Sequence, residues 1–319
     1  MIDKPKIAVV IPAYKVAAHI LVVLNKVGPE VDEIIVVDDC CPESSGELVK
    51  KNSKDTRVTV VKHEKNLGVG GAMVTGYKVA LANGNQIIVK IDGDGQMEPS
   101  LIPKIIYPIF SGEADYSKGN RFHNVETILR MPKIRILGNI VLSFFSKAST
   151  GYWQIFDPNN GFTAIHAQAL RQIPLDKISE RYFFESDMLF RLNLAKAVVV
   201  DVPMDASYGE EQSNLSISRT IVEFPMKHFR NFLKRIVYSY YLRDFSLPSL
   251  QLPVGLALLI ASSTLAFYNW IHSANLNQAT PTGTLILIAM MSLTSIHLLL
   301  SFASHDVQSS PKKAISRFR

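Results

Sequence analysis

Cysteine is nearly absent. The 319 residues hold two, Cys40 and Cys41, and these are adjacent. Neighbouring cysteines cannot form an ordinary bridge with each other, so a disulfide framework is excluded and a reducing compartment is expected. No Cys/His spacing of a zinc site occurs either. Two nucleotide signatures are missing as well. A dinucleotide fingerprint on the glycines of NLGVGGAM (66–73) would need glycine where Met73 stands, and no G-x-x-x-x-G-K-[ST] phosphate loop is present. The opening MIDKPKIAVVIPAY is too short, and too soon broken by Pro12, to read as a signal peptide. Finally, charge is missing from two long stretches, 247–271 and 280–302.

Each uncharged stretch exceeds the roughly 20 residues that cross a bilayer core. Soluble domains seldom carry two such runs, so transmembrane helices are expected rather than buried core helices. Lys227, Arg230, Lys234, Arg235 and Arg243 precede the first run, Lys312, Lys313, Arg317 and Arg319 follow the second, and the linker between is uncharged. By the positive-inside rule both termini are cytoplasmic, in a multi-pass protein of the cell (inner) membrane. The net charge of +6 matters through this location at a membrane surface, and no nucleic-acid partner is expected. In 224–243, Phe229, Phe232, Leu233, Ile236, Val237 and Tyr240 recur at helical spacing, with basic residues largely on the other side. Segment 128–147 repeats the pattern with Ile134, Leu137, Val141, Phe144 and Phe145. Both are expected to be interfacial helices, with packing on the domain as the alternative.

The first half of the chain alternates two periods. Val/Ile-rich runs at 6–12, 32–39, 57–63 and 85–94 read as strands; helices are expected near 17–27, 44–52 and 70–83. Continuous apolar strands separated by helices predict a doubly wound α/β sheet, mainly parallel. Ligands bind such sheets outside the carboxyl ends of the strands. Four polar clusters fall there: Pro12-Ala13-Tyr14, Asp38-Asp39, Asn66 to Gly71, and Asp92-Gly93-Asp94. The backbone amides of the glycine-rich stretch are candidates to approach a nucleotide. In KIDGDGQMEP (90–99), two carboxylates and an amide sit at alternate positions of a strand end. Hard divalent cations take oxygen ligands of this kind together with substrate phosphates, so Mg²⁺ or Mn²⁺ is expected at Asp92, Asp94 and Gln96.

VVIPAY, VVDD, NLGVGGA, DGDGQ, FDPNNGFTAI and FFESDMLFRL, in this order and spacing, resemble the family-2 glycosyltransferases of GT-A (Rossmann-like) fold. The subgroup is that of polyprenyl-phosphate glycosyltransferases, which includes dolichol-phosphate mannose synthase and the GtrB-like enzymes. The resemblance covers roughly residues 5–245. It implies inverting transfer of a sugar from a nucleotide sugar, UDP-linked in preference to GDP-mannose, to a polyprenyl phosphate on the cytoplasmic face. It also implies residue roles. Pro12, Ala13, Tyr14 and Asp39 would line the base and ribose pocket, with Asn66, Gly68 and Asp92 beside the donor. Asp94, Gln96 and Asp92 would hold the metal. Asp157 would stand at the catalytic centre with Asp94, and Glu185 and Asp187 near the acceptor. Arg121, Arg130, Arg135, Arg219 and Ser213 are candidates for the acceptor phosphate. A structural ion pair for Arg121 and a helix cap for Asp157 are the plain alternatives.

The expected layout is a catalytic domain at 1–220, amphipathic juxtamembrane helices at 221–246, two transmembrane helices at 247–303 and a basic tail at 304–319. A homo-oligomer is compatible with it. A processive polysaccharide synthase would carry Q-x-x-R-W, and neither tryptophan here follows arginine. A transferase acting on another membrane glycan, or a silent nucleotide-sugar-binding subunit, are the remaining alternatives.

Overall fold

β-branched side chains dominate the first strands because strands buried on both faces need apolar residues at every position. The computed structural model describes residues 4–122, 133–204 and 217–317. β1 (Ile7–Ala13), β2 (Glu33–Asp38), β3 (Val58–Lys62) and β4 (Ile87–Lys90) alternate with α1 (Ile20–Asn25), α2 (Ser45–Asn52) and α3 (Gly68–Ala82). There follow α4 (Ile102–Phe110), β5 (Tyr116–Asn120), α5 (Lys133–Thr150), β6 (Thr163–His166), α6 (Ala167–Arg171), α7 (Phe184–Leu194), β7 (Val199–Pro203) and α8 (Ile217–Val237). A π-helical turn at Tyr238–Arg243 leads to α9 (Leu247–Leu276) and α10 (Thr282–Gln308).

The seven strands form one sheet in the order β3-β2-β1-β4-β6-β5-β7. β6 runs antiparallel between β4 and β5, and the other pairings are parallel. One face is covered by α1, α2 and α4, the other by α3, α6 and α7. Register places the site. On the second face Ile88, Ile165, Tyr116 and Val199 form an apolar row across β4, β6, β5 and β7. Two residues further along β4, β5 and β7, and two residues earlier on the antiparallel β6, the paired row on the same face reads Lys90, Thr163, Lys118, Asp201.

The chain divides into two compact units, Met1–Phe232 with Pro311–Arg319, and Leu233–Ser310. In the first, the fully buried Asp115 accepts hydrogen bonds from the backbone N–H of Val198, Ile315 and Ser316, so the tail packs beside β5 and β7. In the second, α9 and α10 pair as a hairpin, with Ser295 Oγ donating to the Gly255 carbonyl at 2.8 Å. Both helices are long and apolar enough to cross a membrane, and 11% of each apolar window is buried. One expectation for the juxtamembrane segment changes. Arg235, taken as part of a basic face, is 1% exposed and forms a fork with Asp306 (Nη1 to Oδ1 2.6 Å, Nη2 to Oδ2 2.9 Å). Tyr240 also donates to Asp306, at 2.8 Å. A guanidinium this deeply buried needs a bidentate carboxylate. Phe229, Leu233 and Val237 stay exposed as a stripe, whereas Ile236 and Tyr240 are buried. On α5, Ile140, Val141, Phe144 and Phe145 are exposed.

Candidate active site

At the end of β2 both carboxylates serve the protein's own backbone. Asp38 accepts from the N–H of Cys41 and Gly46, tying down the entry to α2. Asp39 accepts from the N–H of Leu67 at 2.8 Å and Gly68 at 2.7 Å, and His63 Nδ1 lies 2.8 Å from its Oδ1. Two amides that were candidates to meet a nucleotide are therefore occupied, and a third, Gly71, donates to the Glu180 carbonyl. The glycine-rich stretch is the first turn of α3, starting at Gly68 rather than 70, and its composition has a packing cause. A Cβ on Gly70 would stand 2.1 Å from the Ser179 carbonyl, and Gly68 has φ +84°. The glycines thus permit close packing on 179–181. Asn66 donates to the Asp39 carbonyl. Ala13 is a core side chain and Pro12 is half-buried, while Tyr14 is 42% exposed at the mouth of the strand ends.

Around β4 to β7 the acids meet side-chain cations instead. Lys90, 1% exposed, donates to Asp92 Oδ1 at 2.7 Å and to the Gly161 carbonyl at 3.2 Å, with Glu185 Oε1 at 3.4 Å. Burial alone would lower its pKa, but Asp92 and Glu185 hold it above the usual lysine range. Gly161 makes the contact possible, because a Cβ there would come within 2.6 Å of Lys90 Nζ and 2.8 Å of Asp92 Oδ2. Beyond Asp92 the loop turns through Gly95 at φ +80°, and Asp94 Oδ1 accepts the Gln96 N–H at 3.0 Å. Asp92, Asp94 and Gln96 are all half-buried.

Two sequence candidates find each other. Arg121 Nε donates to Asp157 Oδ2 at 2.9 Å and Nη2 to Oδ1 at 3.2 Å, and Asn160 Nδ2 reaches Oδ2 at 3.4 Å. Asp157 is 2% exposed and Arg121 37%, so the pair presents its guanidinium outward. Asp201 Oδ2 accepts the Phe156 N–H at 2.6 Å, fixing the residue next to Asp157. Burial pushes the Asp201 carboxyl above its usual range. Asp187 lies apart from this group: it accepts from the Ser179 N–H, Arg191 Nε and Asn231 Nδ2, which makes it a clamp between α7 and its neighbours. Arg130 and Ser213 lie outside the described residues, and Arg135 and Arg219 are placed only as positions on α5 and α8.

The sequence reading missed Lys90, Lys118, Asp201 and Gly161. Lys90 and Lys118 each sit two residues before a polar strand end, hence on its face. That spacing was the available signal. Among the described residues no three Asp, Glu, His or Cys form a ready metal cluster.

A seven-stranded, mostly parallel sheet with acids gathered at one edge of the strand ends is the GT-A fold of a sugar transferase. The chain belongs to glycosyl transferase family 2, whose profile matches residues 8–174. It is 33% identical over 224 residues to the UDP-N-acetylglucosamine–dolichyl-phosphate N-acetylglucosaminyltransferase of Methanococcus voltae, over 66% of this chain and 88% of that protein. To the undecaprenyl-phosphate mannosyltransferase of Micrococcus luteus it is 28% identical over 203 residues, 62% of this chain and 82% of the relative. Glucosyl-3-phosphoglycerate synthase from Mycobacterium tuberculosis, solved with Mn²⁺, uridine diphosphate and glucosyl-3-phosphoglycerate, shares the fold. There the TM-score is 0.52 at 20% identity, over 72% of this chain and 80% of that one. The protein is accordingly a glycosyltransferase, grouped by sequence with those that act on polyprenyl phosphates.

Proposed function

We propose that this protein transfers a sugar, with inversion, from a nucleoside diphosphate sugar to a polyprenyl phosphate at the cytoplasmic face of the cell membrane. The observation that carries this reading is the pair of apolar helices, 30 and 27 residues long, in a family-2 chain whose relatives are named for polyprenyl-phosphate acceptors. A UDP-sugar is favoured because the Methanococcus relative is named for one. Basic residues flanking both helices support the cytoplasmic placement.

A lipid monophosphate is largely ionised near neutral pH, since its second pKa is about 6. Its oxygen can attack the anomeric carbon without a strong base, while the bond to the diphosphate breaks and the nucleoside diphosphate leaves. What the reaction needs from the protein is cationic charge held where two anions meet. Arg121, anchored by Asp157 and facing outward, supplies it in this reading. Asp157 acts chiefly by orienting that guanidinium, and Glu185 with Lys90 keeps Asp92 in place beside the donor.

Mg²⁺ or Mn²⁺ fits the residues at the β4 end. The donors are all oxygens, they are half-buried, and Gly161 leaves the space beside Asp92 Oδ2 clear. Asp94 would be the main ligand, with Gln96 and the outer oxygen of Asp92. When bound, the cation neutralises charge gathering on the departing diphosphate.

The test uses the purified full-length protein with a panel of UDP- and GDP-sugars and with undecaprenyl or dolichyl phosphate, in Mg²⁺, Mn²⁺ or EDTA. Sugar-labelled lipid that disappears in EDTA is the expected result. Unmodified lipid with every donor overturns the reading, and transfer to another membrane glycan redirects it. Asp94→Ala should abolish metal-dependent nucleotide binding by calorimetry; unchanged affinity would remove the metal role.

A further inference from the structure

Within the paired row of Lys90, Thr163, Lys118 and Asp201, one cation differs from the rest. Lys118 is 1% exposed on β5, and its side chain has no hydrogen-bond or ion-pair partner among the described residues. The acids that act on its charge come from three directions: Asp157 from the loop before β6, Asp201 from β7 and Glu185 from α7, while Arg121 at the end of its own strand opposes it. Opposite it, Asp201 Oδ1 is buried with no hydrogen-bond partner among the described residues, although its other oxygen holds the Phe156 N–H. An unbranched apolar side chain would fill this slot without burying a charge. Charge, not volume, is therefore what Lys118 contributes.

We propose that Lys118 is a positioning residue for the transfer: its buried ammonium is the counter-charge that holds Asp157 and the 156–157 turn, and through them the outward face of Arg121. The inference rests on the proposed transferase reaction. Three acids near one another would repel and shift apart without a central cation. Lys90 cannot serve all of them, because its own contacts are Asp92, Glu185 and the Gly161 carbonyl. Lys118 stands on the other side of the group: it pairs in register with Asp201 on β7, whose Oδ2 holds the Phe156 N–H beside Asp157. Burial, the largest effect, brings its pKa down to about 8, with Asp157, Asp201 and Glu185 limiting the fall. The positioning charge is then present at neutral pH and is lost as the medium becomes alkaline.

The experiment compares wild type, Lys118→Met and Lys118→Arg as full-length proteins, measuring kcat, donor KM and their pH profiles. Lys118→Met should lower kcat about 10- to 100-fold, the scale of a displaced catalytic group, with donor KM nearly unchanged. Wild-type kcat should fall as pH rises through about 8, and that limb should be missing from Lys118→Met. Lys118→Arg should restore part of kcat and shift the limb upward. A methionine variant with wild-type kcat, or one that is merely less stable and keeps the alkaline limb, overturns the proposal. A second readout does not need turnover. The folded pKa of about 8 lies below the unfolded value of about 10.4, so between these values the unfolded chain binds more protons and stability rises with pH. The melting temperature of wild type should climb relative to Lys118→Met from pH 8 to pH 10. A flat difference overturns the buried cation even if no donor in the panel is transferred, whereas failure of transfer with a climbing difference sinks only the reaction.

Discussion

At the end of β2, Asp38 and Asp39 turn to the protein's own backbone: four N–H groups and one histidine occupy their oxygens. Across the sheet, around β4, β5 and β7, Asp92, Asp157 and Glu185 meet Lys90 and Arg121 instead. The two regions look alike in sequence, since each is a carboxylate at a strand end. Their chemistry differs. Backbone amides are fixed in place and cannot follow a ligand, so a carboxylate saturated by them is part of the scaffold. A side-chain cation can be shared between its acid and an incoming phosphate, so an acid paired that way can serve the proposed site. Asp187, two residues from Glu185, combines both kinds of partner: it accepts from the Ser179 N–H, the Arg191 guanidinium and the Asn231 amide.

Paired substitutions can break this division. The largest effect is expected from Asp157→Asn, which keeps the shape and removes the charge facing Arg121 and Lys118. Turnover should drop roughly 100- to 1,000-fold while donor affinity holds. Wild-type turnover in this variant would move Asp157 to the scaffold. Asp39→Ala should do the opposite. It leaves the half-buried amides of Leu67 and Gly68 and the ring of His63 without their acceptor, and stability should fall by roughly 2 kcal/mol. Denaturation of the full chain in detergent measures this, and the folded fraction should turn over normally. If instead stability holds and donor affinity collapses, Asp39 serves the ribose and the division fails on that side.

Much of this was legible in the sequence because it is local. β1 to β4 follow from Val/Ile runs and α9 and α10 from uncharged length, and the motifs single out Asp92, Asp94, Asp157 and Glu185 as candidates for the proposed site. What was not legible depends on chain segments far apart. Asp39 meets amides 28 and 29 residues on, and Arg235 meets its acid 71 residues later. β6 inserts antiparallel between β4 and β5, and this register alone brings Lys90 and Lys118 to either side of Thr163. Lysine in a strand ordinarily signals a solvent-facing position. Here both are buried because acids from α7, β7 and the loop before β6 surround them.

Two glycines carry the same comparison down to a single methyl group, with the smallest expected effects. On Gly70 the added Cβ would stand 2.1 Å from the Ser179 carbonyl, which is backbone and cannot swing aside. Gly70→Ala should therefore lower stability by about 1–3 kcal/mol through overpacking, with little change in turnover per folded molecule. On Gly161 the added Cβ would meet Lys90 Nζ at 2.6 Å and Asp92 Oδ2 at 2.8 Å, both ends of side chains that can move. Gly161→Ala should leave the melting temperature nearly unchanged, yet displace the Lys90–Asp92 pair and lower turnover about 10-fold. Measuring both quantities on both variants decides the matter. If Gly161→Ala loses stability and keeps its rate, Lys90 and Asp92 form a structural pair, and the site shrinks to Asp94, Asp157 and Arg121.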